Sequence, residues 1–135
     1  MKIYGFRTLQ KRLEKSSFQL TTDPVERLDD CQGMNSVLYK REIKGSDQPA
    51  YANLAIDKSG NSILISFWRQ LNGTTYRTKT EYIDYEKGDR TIIIPRLISK
   101  EITIGLGKDK RGNLKRKTNR EETLYRKPIE LPLDF

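Results

Sequence analysis

The chain has 135 residues, with 26 Lys and Arg against 18 Asp and Glu, a formal net charge of +8, no histidine and one cysteine. The absence of histidine excludes imidazole triads, imidazole acid–base pairs and His-ligated metals, and the single Cys31 excludes an intrachain disulfide or a Cys-rich zinc site. The length suits one domain, and the positive charge attracts polyanions: nucleic acid first, then an anionic membrane or an acidic protein.

In chain order, residues 2–7 alternate like a strand, and residues 8–15, with Leu9 and Leu13 four apart, read as a helix. A second short helix is predicted over 24–32: Asp23-Pro24-Val25-Glu26 offers an N-cap acid, a proline at the first helical position and a Glu at N3, while Gly33 supplies a stop. From Asn35 the apolar period becomes two, with turn signals at Gly45, Gly60, Gly73, Gly88 and Gly112. The predicted strands cover 36–43, 50–57, 62–70, 75–85, 90–98, 101–106 and 113–118, arranged as a β-meander.

Turn positions fix which residues share a face. With Ser59-Gly60 as a two-residue turn, Tyr51 lies across from Trp68 and Leu54 across from Ile65; with Asn72-Gly73 as the next, Trp68 pairs with Arg77, Ser66 with Lys79 and Phe67 with Thr78. One face then carries Ala52, Leu54, Ile56, Ile63, Ile65, Phe67, Thr78, Thr80 and Tyr82, the predicted core. The other carries Tyr51, Asn53, Ser66, Trp68, Arg77 and Lys79.

Thr91-Ile92-Ile93-Ile94 is apolar on both faces, so the sheet must be covered or closed there, and Pro95 marks an edge or a bend. The fold class is α+β, predominantly β: a small curved antiparallel sheet or OB-like barrel with one or two short helices. The organisation is a β-rich domain over 1–107, a basic hairpin or loop over 108–120, and a C-terminal tail over 121–135. No apolar run reaches the roughly 20 residues of a bilayer span, and the N-terminus lacks the apolar stretch of a signal peptide, so a cytoplasmic protein without membrane contact is expected, with Cys31 reduced and structural.

The charge is concentrated. Lys108, Lys110, Arg111, Lys115, Arg116, Lys117 and Arg120 stand with one acid, Asp109, so this segment holds +6 of the +8. Cations against phosphates release condensed counterions, which gives salt-sensitive, sequence-independent affinity. Tyr51 and Trp68, flanked by Arg77 and Lys79, are placed to stack unpaired bases, which favours single-stranded DNA or RNA over duplex. The alternative is that the early helix covers this face and makes Trp68 a core residue.

The terminus Glu130-Leu131-Pro132-Leu133-Asp134-Phe135 resembles the C-terminal tip of bacterial and phage single-stranded-DNA-binding proteins. Its spacing is also similar to the peptide that docks replication proteins on the bacterial sliding clamp, with Glu130 where that family usually has Gln. This resemblance implies a protein-docking role for Leu131, Leu133 and Phe135; the alternative is a tail packed on its own domain. Asp30 followed by Glu42-Ile43-Lys44 resembles the metal-binding core of restriction-endonuclease-like nucleases. Gly105-Leu106-Gly107-Lys108 lacks the phosphate-loop spacing and reads as a β-bulge or close backbone packing.

The expected function is non-catalytic binding of nucleic acid, preferably single strands with little base specificity, as a replication, recombination or mobile-element accessory, with no cofactor or metal required. Two alternatives are a basic inhibitor or adaptor of an acidic protein, and a metal-dependent nuclease using Asp30, Glu42 and Lys44.

Overall fold

The computed structural model describes residues 5–22, 35–46, 48–57, 59–133 and 135, so the predicted helix over 24–32, with Asp30 and Cys31, lies outside the described residues. Among them, helix α1 (Gly5–Lys15) precedes strands β1 (Gln19–Leu20), β2 (Asn35–Arg41), β3 (Ala50–Ile56), β4 (Ile63–Leu71), β5 (Thr74–Lys87), β6 (Arg90–Lys108) and β7 (Leu114–Leu124). Each strand pairs antiparallel with its sequence neighbours, giving the expected meander in the order β1 to β7. The sheet is not closed: β1 and β7 are its two ends, so the OB-like barrel gives way to an open sheet.

Helix α1 buries Gly5, Leu9 and Leu13, a stripe at four-residue spacing. It begins earlier than expected, and residues 5–7, read from their alternation as strand, are helical. Two contacts outweigh the local alternation. The Gly5 N–H donates to Asp84 Oδ1 at 3.1 Å, so a carboxylate satisfies a helix-start donor and opposes the positive end of the dipole. Gly5 also leaves room for Ile93, whose Cγ2 would lie 1.8 Å from any Cβ added there. The helix ends with Ser17 left-handed at φ 71°, while Phe18 N–H bonds to Leu13 O at 3.0 Å and Ser17 N–H to Glu14 O at 3.1 Å, a Schellman stop.

The helix stripe packs on Ala52, Leu54, Ile63, Ile65, Tyr82 and Ile93, with Phe18 and Tyr39 completing the cluster. This is the predicted core face. Burying Leu9 and Leu13 contributes about 1.5–3 kcal/mol each. Tyr39 is fully buried and its hydroxyl accepts from Gln10 Nε2 at 3.2 Å; burial raises its pKa, as it does that of Tyr82.

Both predicted hairpin registers are present: Tyr51 opposes Trp68, Leu54 opposes Ile65, Trp68 opposes Arg77, and Ser66 opposes Lys79. Asn72 at φ 50° and Gly73 at φ 76° form the left-handed two-residue turn that sets the second register. Where two strands were expected over 90–106, β6 runs unbroken for 19 residues, because β5 and β7 pair with it on either side through Ser99 and Lys100. Pro95 sits at a register shift, with Leu97 opposite Glu81 and Pro95 opposite Tyr82, which places the bend where the proline predicted it. A second shift separates Gly105 from Lys108, as the bulge reading of that segment required.

Beyond β7 the tail turns back onto the domain. Lys87 pairs with Glu130 at 3.5 Å, Leu131 and Leu133 lie along α1 and the start of β6, and Leu133 and Phe135 pack against the core. The Phe67 and Phe135 rings are 5.2 Å apart. No described helix is long and apolar enough to cross a membrane.

Candidate nucleic-acid interface

The face of β4–β7 opposite the helix carries three registered polar rows. Trp68, Arg77, Glu101 and Arg120 form one, Gln70, Thr75, Thr103 and Thr118 a second, and Ser66, Lys79, Ser99 and Glu122 a third. Alternation alone puts these side chains on one side of four adjacent strands. A groove of about 540 Å³ runs over the first two rows, walled by Arg77, Lys115 and Arg116. A smaller hollow of about 160 Å³, sharing Arg77 and Glu101 with it, adds Lys79 and Arg120. Five cations thus border this surface, against Glu101 and Glu122 within it, the latter paired with Arg120.

The groove is organised by hydrogen bonds between its strands. The Thr103 and Thr118 hydroxyls are 3.1 Å apart. Arg120 donates through Nε to Ser99 Oγ at 3.4 Å and through Nη2 to Glu122 at 2.9 Å, which fixes its guanidinium. In the third row, Ser66 Oγ and the register partner Asn53 Oδ1 are buried without a hydrogen-bond partner among the described residues.

The tip joining β6 to β7 is built by its one acid. Asp109 Oδ1 accepts from Arg111 N–H and Asn113 N–H, both at 2.9 Å, while the Asp109 main chain bonds Gly112 and Asn113. The carboxylate is thereby used inside the turn. Lys108, Lys110, Arg111, Lys115, Arg116 and Lys117 are all exposed and make no ion pair among the described residues.

Several expectations need correction. Trp68 is only 3% exposed, and its ring lies 5.9 Å from the half-buried Tyr51, so it is a buried residue and not an open stacking platform. The basic run is divided by strand alternation: Arg116 faces the groove with Arg77, Lys117 faces the other side with Ile104, and Lys108, Lys110 and Arg111 cluster at the tip. The strand expected over 113–118 is present but longer, running over Leu114–Leu124 in a hairpin with β6. It continues to Leu124 because β6 supplies a partner for each residue from Arg116 onward.

The tail anchors are engaged within the chain, with Leu131, Leu133 and Phe135 all partly buried, so the packed alternative describes them. Glu42 and Lys44 follow the end of β2 instead of sharing its face, and Glu42 sits 3.9 Å from Lys40; the nuclease arrangement expected of them is not formed there. Thr75, Glu101, Thr103 and Thr118 were not singled out from sequence, and Arg120 only as part of the basic run. Extending the parity count from β5 into an unbroken β6 and on to β7 would have found them.

Physically, this surface can hold phosphate groups through Arg and Lys donors and can hydrogen-bond sugar or base edges through Gln70 and the threonines. Comparison with protein-family models, with curated proteins and with solved structures finds no match for this chain.

Proposed function

We propose that the protein is a non-catalytic nucleic-acid-binding module that grips the sugar-phosphate backbone with little base specificity. The observation that carries this reading is the β4–β7 groove, on which Arg77, Lys115 and Arg116 converge, continued by Lys79 and Arg120 in the adjoining hollow. The tip cations Lys108, Lys110 and Arg111 extend the positive track beyond it. Binding is phosphate-directed; with Trp68 buried, the stacking argument for single strands rests only on Tyr51, and strand preference becomes a quantity to measure.

The test is a titration of labelled single-stranded and duplex oligonucleotides at several salt concentrations. If the five groove cations each meet one phosphate, log K falls against log salt with a slope of about −3.5 for single strands and about −4.5 for duplex. Failure of both forms to bind at low salt overturns the reading.

A further inference from the structure

Among the described residues, one long strand edge of this sheet is unpaired. β7 stands last in the strand order and exposes all eleven of its residues, whereas the opposite end, β1, is two residues long. Sheets ordinarily blunt such an edge by shortening it, kinking it, inserting proline or lining it with charged side chains, above all lysine; β7 uses only the last of these, and its charges are of both signs. β7, Leu-Lys-Arg-Lys-Thr-Asn-Arg-Glu-Glu-Thr-Leu, contains neither proline nor glycine.

Its main chain determines what can pair with it. Tyr125 N–H donates to Arg96 O at 2.8 Å, continuing the register in which Leu124 opposes Leu97. By alternation, Lys117, Asn119, Glu121 and Thr123 turn their amides and carbonyls toward β6, while Arg116, Thr118, Arg120, Glu122 and Leu124 turn theirs to the open side. An added antiparallel strand must match outward residues with outward residues. For a second β7 related by a two-fold axis, that condition puts the axis through a residue and not between two.

Charge then selects the residue. The strand is divided by sign, with Lys115, Arg116 and Lys117 at one end and Glu121 and Glu122 at the other. An axis at Asn119 sets Arg116 against Glu122, Lys117 against Glu121, and Leu114 against Leu124, each twice by symmetry. Moving the axis to Thr118 sets Arg116 against Arg120, and moving it to Arg120 sets that residue against itself. Only the Asn119 register pairs opposite charges on both faces, and it also covers Leu114 and Leu124, which are 64% and 56% exposed.

We propose that a second copy of this chain adds antiparallel to β7 about an axis at Asn119, joining two seven-stranded sheets into one. The interface is isologous. Glu122 already holds Arg120 of its own chain through Oε1, which leaves Oε2 for the incoming Arg116. The two grooves then meet across the axis on one continuous face. The pairing shares Arg116 with the groove, so it is tested on the chain without nucleic acid.

Sedimentation velocity over a concentration series tests this, using the full chain and two charge-reversed variants, Arg116→Glu with Lys117→Glu, and Glu121→Lys with Glu122→Lys. The wild type should approach twice the 15.8 kDa chain mass as concentration rises. Each variant alone should dimerise at least about tenfold more weakly. An equimolar mixture should recover the dimer, because opposite charges again face each other at every position, and that recovery also shows that both variants fold. A wild type still monomeric at on the order of 100 μM overturns the proposal. So do variants that dimerise as well as the wild type, or a mixture that stays monomeric.

Discussion

Arg41 holds Phe135: its Nη1 donates to the Phe135 main-chain oxygen at 3.2 Å and to Ser16 O, beyond the end of α1, at 3.0 Å. The same guanidinium lies 4.4 Å from the centre of the Phe18 ring. One side chain thus joins the helix end, the core and the tail. Replacing Arg41 with alanine should cost about 2 kcal/mol, the scale of a charge-assisted hydrogen bond with a cation–π contact. A fall in the urea midpoint with an unchanged m-value checks this; an unchanged midpoint contradicts it.

Gly5→Ala tests the seating of α1. In an exposed helix interior this change stabilises by roughly 1 kcal/mol. Here the new methyl meets Ile93 Cγ2, so the expected sign is opposite, a loss of about 1–3 kcal/mol. Thermal or urea unfolding reads the sign directly.

Trp68 reports on burial because it is the sole tryptophan. Its emission should be that of an apolar environment, resist acrylamide, and change little when oligonucleotide saturates the protein. Strong quenching by single strands would mean that the indole is accessible and stacks. Trp68→Ala should destabilise by about 3–5 kcal/mol, as a large core truncation does.

The turn between β3 and β4 carries an acid-sensitive contact. Asp57 accepts from the Ser59 hydroxyl at 2.6 Å, the Ser62 hydroxyl at 2.8 Å and the Ser59 main-chain N–H. These bonds, the Ser59 hydroxyl foremost, favour the ionised form and lower the pKa from the ordinary 3.8. A carboxyl with a lowered folded-state pKa stabilises the fold above its unfolded value, and that contribution disappears as pH falls through the folded value. Asp57→Asn should therefore be less stable than wild type at neutral pH, with the difference shrinking below about pH 4. A difference independent of pH would contradict the assignment.

Much of the sheet was legible because its controls are local. Asn72-Gly73 fixes the left-handed turn, the turn fixes the partners of Trp68 and Ser66, and parity then distributes the core. Parity assigns a face without saying whether that face is covered, so Trp68 was placed on the correct side of β4 and misread as open. The start of α1 depends on Asp84 and Ile93, some 80 residues away, and the seat of the tail on Phe67 and Arg41; neither contact has a local signature. Ser99 and Lys100 looked like a break because their polarity is local, while the pairing that keeps them in strand comes from both neighbours.

The most direct measurement is amide chemical-shift mapping during titration with a short oligonucleotide. The proposed interface predicts the largest shifts at Gln70, Thr75, Arg77, Thr103, Arg116 and Thr118, then at the tip from Lys108 to Arg111, with little change in α1. Shifts confined to the helix side of the sheet, or none at low salt, would contradict the claim that this groove binds nucleic acid.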